Sequence, residues 1–145
     1  MRSRALLAAG AMALALAVAS CGDEQPDAAG TGNDPRTIEV TALDPFVYDP
    51  TSIDVEAGET VRFVVTNDGE TDHEFVVGDM EMQDMAEEQA MEGMHGHVEA
   101  MASLALDPGE TAETTVTFDV AGEFFYACHI SGHYEGGMVG TITVA

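Results

Sequence analysis

From Thr37 to the C-terminus, apolar and polar residues alternate in short runs. Ile38, Val40 and Ala42 form the first, Ile53 and Val55 the second, and Val61, Phe63 and Val65 the third. Phe75 and Val77 follow, then Val116, Phe118 and Val120, then Phe124, Tyr126 and Cys128, with Ile142 and Val144 closing the chain. Successive side chains of an extended strand point to opposite sides, so a period of two marks strands that bury one face. Turn-forming residues separate the runs: "DPTS" from Asp49, "EAGE" from Glu56, "NDGETD" from Asn67, "DPGE" from Asp107 and "AGE" from Ala121. About seven short strands at this spacing predict an all-β chain folded as a β-sandwich.

Residues 79–103 break the pattern: "DMEMQDMAEEQAMEGMHGHVEAMAS". Met, Ala, Glu and Gln dominate and β-branched residues nearly vanish, which favours helix. Met82, Met85, Ala86 and Ala90 recur at helical spacing, as do Met94, Val98, Met101 and Ala102. A helical insertion between strands is predicted, broken near Gly93 and Gly96.

The N-terminal 36 residues carry neither pattern. Arg2 and Arg4 precede an apolar run from Ala5 to Ala19, too short to span a bilayer comfortably and suited to a signal peptide over residues 1–20. The run ends in Val18-Ala19-Ser20-Cys21, which resembles the lipobox of bacterial lipoproteins, where the cysteine is acylated and becomes the new N-terminus. Residues 21–36 are polar and rich in Gly, Pro and Asp, a flexible tether whose r.m.s. reach is on the order of 20 Å. The chain is therefore expected outside the cytoplasm, held to the membrane only by lipid on Cys21, with one domain over 37–145.

Charge narrows the partners. The chain has no lysine and a formal charge of -23; beyond Gly22, Arg36 and Arg62 stand against all 27 carboxylates, leaving -25. Nucleic acid is excluded, because phosphates need cations opposite them. A basic docking surface on a protein partner fits, and so does an acidic surface adapted to salt.

Cys21 and Cys128 are the only cysteines. With Cys21 acylated, Cys128 has no disulfide partner, and metal ligation becomes the leading role for it. Cys128 opens "CHISGHYEGGM", with His133 and Met138 following at intervals of five; His73 opens the strand "HEFVV" far upstream. Two imidazoles and a thiolate, with a thioether as weak axial contact, form the blue-copper donor set. Gly132, Gly136 and Gly137 let the loop turn so that its donors converge. Taken singly, each residue has a plainer role: a structural histidine in a turn, a small buried thiol, a core methionine. Their order and context favour copper. His129, on the opposite face from Cys128, should point away from that site. Zinc would prefer a closed set without thioether.

Here the chain resembles the cupredoxins, the plastocyanin, azurin and pseudoazurin group of type 1 copper proteins. The resemblance rests on "DHEF" around His73, "FFYACHISGH" through Cys128 and His133, and "GGMVGTITV" around Met138, and covers about residue 37 to the end. It implies a Greek-key β-sandwich, one copper cycling between Cu(I) and Cu(II), and outer-sphere electron transfer. Many cupredoxins place Asn or Ser just after the first histidine ligand, where this chain has Glu74. A histidine beside the cysteine serves a second copper cluster in multicopper oxidases, but that cluster needs more histidines than the five present.

The resulting expectation is a monomeric electron carrier rather than an enzyme, exchanging single electrons with a protein partner. Metal ligands are His73, Cys128, His133 and Met138, with His133 at an exposed edge. The alternative is a copper-sequestration or copper-tolerance module, with Met80, Met82, Met85, Met91, Met94, His95, His97 and Met101 as a second Cu(I) site, since thioethers select the cuprous ion. The plainer reading of those methionines is a helix packed on the sandwich.

Overall fold

A computed structural model of the chain describes residues 34–93 and 99–145. The predicted signal peptide, Cys21, nearly all of the tether, and Met94, His95 and His97 lie outside the described residues. The described elements are β1 (Arg36–Leu43), β2 (Val47–Asp49), β3 (Ser52–Val55), β4 (Glu59–Asn67), β5 (His73–Gly78), α1 (Met80–Met91), β6 (Ala102–Leu106), β7 (Thr111–Phe118), β8 (Gly122–Ala127) and β9 (Val139–Val144).

The strands form two sheets, ordered β2-β1-β4-β7 and β3-β9-β8-β5-β6. β1 pairs parallel with β4 and β3 parallel with β9, while the other pairs are antiparallel. β2 and β3 lie in different sheets, separated by a bend at Pro50 and Thr51. Proline has no N–H to give a ladder, so the break falls there.

The alternating positions meet between the sheets. Val40, Ala42, Val61, Phe63, Val65, Val116 and Phe118 face Ile53, Val55, Phe75, Val77, Leu106, Tyr126, Ile142 and Val144, all buried in one cluster. Tyr48, Phe63, Phe75 and Tyr126 form its aromatic centre, with Tyr48–Tyr126 and Phe75–Tyr126 centroids each 5.2 Å apart. Each such ring is worth about 1.5–3 kcal/mol in water-excluded surface.

Three details depart from the pattern reading. Met101 and Ala102, expected in a second helical run, are not helical: Met101 N–H donates to the Val77 carbonyl at 2.8 Å, and Ala102 opens β6 and pairs with Val77 of β5. Ala102, Leu104 and Leu106 face inward there, an alternation masked by the alanine-rich composition around it. β2, with three residues, is too short to show a period. Val120 is not part of its strand: β7 ends at Phe118 and Val120 is exposed.

Helix α1 begins at Asp79, whose carboxylate accepts the Met82 N–H at 2.9 Å, capping a free donor of the first turn. It lies over the outer face of the second sheet, burying Met82 and Ala86 against Val76. That contact buries β5 on both faces. Gln83 completes the seam, donating to the carbonyls of Val76 at 2.9 Å and Phe125 at 3.1 Å.

Candidate metal centre

His73 starts β5 and Cys128 follows the last residue of β8. These strands are neighbours, with Val76 opposite Ala127, so both residues fall at one end of the sheet. His133 and Met138 come from the connection between β8 and β9, which is closed by its own backbone. His133 N–H donates to Ile130 at 2.8 Å, Gly136 to Gly132 at 3.0 Å, Gly137 to Tyr134 at 2.9 Å and Met138 to His133 at 3.0 Å. Cys128 N–H then reaches the Met138 carbonyl at 3.2 Å, joining the two ends. Gly132 and Gly137, at φ 87° and 96°, take left-handed conformations that side chains disfavour. Gly136 serves space instead, since a Cβ there would lie 2.4 Å from Phe46.

The outcome is a buried cluster of donors. One ligand atom each from His73, Cys128 and His133 lies within 4.8 Å of the others, and Cys128 Sγ stands 3.4 Å from His133 Nδ1. Met138 is fully buried in the same core cluster as Cys128. The structure thus brings together the thiol and both imidazoles read from the sequence, with the Met138 backbone hydrogen-bonded to the backbones of Cys128 and His133.

The sulfur is prepared by the backbone. Burial pushes the Cys128 thiol up to about 11, opposed by N–H groups of Glu74, at 3.3 Å, and Ile130. These N–H groups would stabilise a thiolate once a metal replaces its proton. Burial, and after it His73, holds His133 below the usual histidine range. His73 Nε2 faces Asp44 Oδ1 at 3.2 Å. Among the described residues, His73 Nδ1 is the buried side-chain nitrogen or oxygen left with no hydrogen-bond partner. A buried acceptor without a donor is costly, and a metal ion is what would fill it. A soft thiol, two imidazoles and a thioether fit copper.

The model of the copper binding proteins, plastocyanin/azurin family, matches residues 36–145. The chain belongs to that family. This cupredoxin is 36% identical to the copper-resistant cuproprotein CopI of Pseudomonas aeruginosa, over 75% of this chain and 76% of that protein. It is 41% identical to the protein of the same name from Rubrivivax gelatinosus, over 75% of this chain and 66% of that one. Among solved structures it resembles dithionite-reduced auracyanin from Roseiflexus castenholzii, with TM-score 0.67, 26% identity, and 75% and 96% of the two chains covered.

Other residues of this cupredoxin fall where the sequence did not announce them. His133, expected at an exposed edge, is only 9% exposed, and Phe46 packs against it with ring centroids 4.8 Å apart and the rings tilted by 51°. Glu74 serves the sulfur with its backbone N–H, which any residue but proline could supply, so this contact needs neither Asn nor Ser. Its carbonyl accepts the buried Tyr48 hydroxyl, holding that residue in place. His129 turns away from the donors, onto α1. Its Nε2 lies 2.8 Å from Gln83 Oε1 and its Nδ1 2.9 Å from Glu87 Oε2. Both ring nitrogens are thus taken by oxygen atoms of the helix.

The methionines divide. Met82 alone of those described in α1 is buried, whereas Met80, Met85, Met91 and, beyond the helix, Met101 are 39–68% exposed. Tyr134 directs its hydroxyl to Met80 Sδ at 3.9 Å. Packing therefore accounts for Met82 and not for the other four.

Proposed function

We propose that this cupredoxin is an extracytoplasmic copper-tolerance protein, anchored through lipid on Cys21, that holds one copper between His73, Cys128, His133 and Met138. The observation that carries the reading is the buried thiol and imidazole cluster with His73 Nδ1 left bare, in a chain similar to proteins named for copper resistance. Copper in that set supplies a one-electron couple. The chain's own residues do the rest. The β5–β8 pairing and the self-bonded loop hold the donors in place, so little must move when charge changes. Glu74 and Ile130 direct N–H groups at the sulfur, and Phe46 covers His133.

The exposed thioethers Met80, Met85, Met91 and Met101, with Met94, His95 and His97, add a softer Cu(I) site in this reading. A second reading, one-electron carriage without copper handling, is favoured by the likeness to auracyanin. In either, the chain acts as a monomer without substrate turnover, meeting a protein partner whose docking surface is basic.

The test is a copper titration of the full chain, recording the visible spectrum and the metal bound, beside growth of a host lacking the protein on copper. Tolerance predicts a thiolate charge-transfer band saturating at one copper, further Cu(I) lost when the exposed methionines are replaced, and copper-sensitive growth. A single copper with unimpaired growth would leave electron carriage. Cys128→Ser should abolish the band, and Met138→Ala should keep copper while raising the potential. A Cys128→Ser protein that kept the band would overturn the ligand assignment.

A further inference from the structure

We infer that Asp44 is the positioning residue for His73, and that its carboxylate sets how strongly the centre favours cupric over cuprous copper. The inference rests on the copper site of the family and not on the proposed role in tolerance.

Asp44 lies in the connection between β1 and β2, and its carboxylate is held from three sides. Oδ2 accepts the Glu70 N–H at 2.6 Å, and Oδ1 accepts the Thr71 hydroxyl at 2.8 Å and faces His73 Nε2 at 3.2 Å. All three partners belong to the β4–β5 connection or the first residue of β5. That connection is itself braced. Asn67 donates to the carbonyls of Thr71 at 2.8 Å and Leu106 at 3.0 Å, and accepts from Gly69 N–H at 2.9 Å. A Cβ on Gly69 would lie 2.9 Å from Asp44 Oδ1 and 3.1 Å from His73 Nε2, so the contact requires a residue without a side chain there.

A carboxylate only accepts, so the nitrogen facing it must donate. In a neutral imidazole that puts the proton on Nε2 and the lone pair on Nδ1. Nδ1 is the buried, unpartnered atom of the site. Asp44 therefore selects which face of the ring can bind metal. A backbone carbonyl would select the same tautomer; a carboxylate adds charge, which passes through the ring and strengthens its donation to the more highly charged ion.

The test uses the full chain and the variants Asp44→Asn and Thr71→Val. In the copper-free wild type labelled with nitrogen-15, long-range proton–nitrogen spectra at about pH 8 should place the His73 proton on Nε2. In the loaded protein, Asp44→Asn should weaken Cu(II) relative to Cu(I) about tenfold, the lower end for a lost outer partner because the amide can still accept. Tenfold corresponds to a rise of about 59 mV in a one-electron potential. Thr71→Val loosens the loop but keeps the charge, and should lower stability with the potential unchanged. A proton found on Nδ1 in the wild type would overturn the inference, whether or not Asp44→Asn folds and whether or not copper binds. So would an unchanged potential in Asp44→Asn, or an equal shift in Thr71→Val.

Discussion

Loading the centre should release one proton per copper at neutral pH, and that proton should come from Cys128. Burial raises the thiol from 9.0 to about 11. At about pH 7.5 the thiolate is then roughly three molecules in ten thousand, and a metal must displace the proton. The rise costs roughly 3 kcal/mol of apparent affinity relative to an ordinary thiol. His133, held low by burial, is already neutral and releases nothing. The sign follows from which state keeps the proton: the copper-free site holds it below about 11, so affinity should rise about tenfold per pH unit between roughly pH 7 and 10, then level off. The same raised value stabilises the folded copper-free protein below the unfolded thiol's range. That contribution should fade as pH rises from 9.0 through about 11. Anaerobic Cu(I) titration against a competing chelator gives the affinity, and calorimetry in two buffers of different ionisation enthalpy counts the protons. No proton release would mean that Glu74 and Ile130 already hold a thiolate and that burial does not dominate. Release of two would mean that an imidazole also gives one up.

Three further predictions concern the helix seam, the ligand loop and the Arg36–Glu59 pair. Gln83→Leu strands the carbonyls of Val76 and Phe125 and one nitrogen of His129; urea melts should show a loss of roughly 2–4 kcal/mol, and a loss below about 1 would deny the seam its role. Gly136→Ala forces Phe46 to shift, at a cost of about 1–3 kcal/mol, while the charge-transfer band survives because no donor moves; disappearance of the band would show that Phe46 holds His133 in place. Glu59 lies below its ordinary 4.5 chiefly through its hydrogen bond with Arg36. A lowered carboxylate contributes stability above that value and loses it as pH falls, so Glu59→Gln should cost roughly 0.5–2 kcal/mol near neutrality and flatten the acid side of the stability curve. An acid limb as steep as before would place the titrating group elsewhere.

Legibility in the sequence followed the range of each interaction. The strands around Val40, Phe63, Phe75, Tyr126 and Ile142 could be read because alternation is local and each inward residue reaches the common core. β6 was hidden because alanine-rich sequence near a helix gives weak contrast between faces, and its strand state comes from pairing with β5. Cys128, His133 and Met138 could be read as a group because they share one short loop, although their convergence depends on hydrogen bonds within it. The exposure of His133 could not be judged there, since Phe46 arrives from the β1–β2 connection.

By itself the sequence determined a sandwich of short strands, an inserted helix, and a thiol, two imidazoles and a thioether in the order that suits copper. Period-two burial and the chemistry of donor atoms are properties of residue type and spacing. Only the tertiary structure decided what surrounds those donors. Asp44 beside His73, Tyr48 beneath Glu74, and Gln83 and Glu87 against His129 all come from distant segments. An aspartate in a turn or a glutamine in a helix looks ordinary until sheet pairing and helix docking show what its oxygen atoms face.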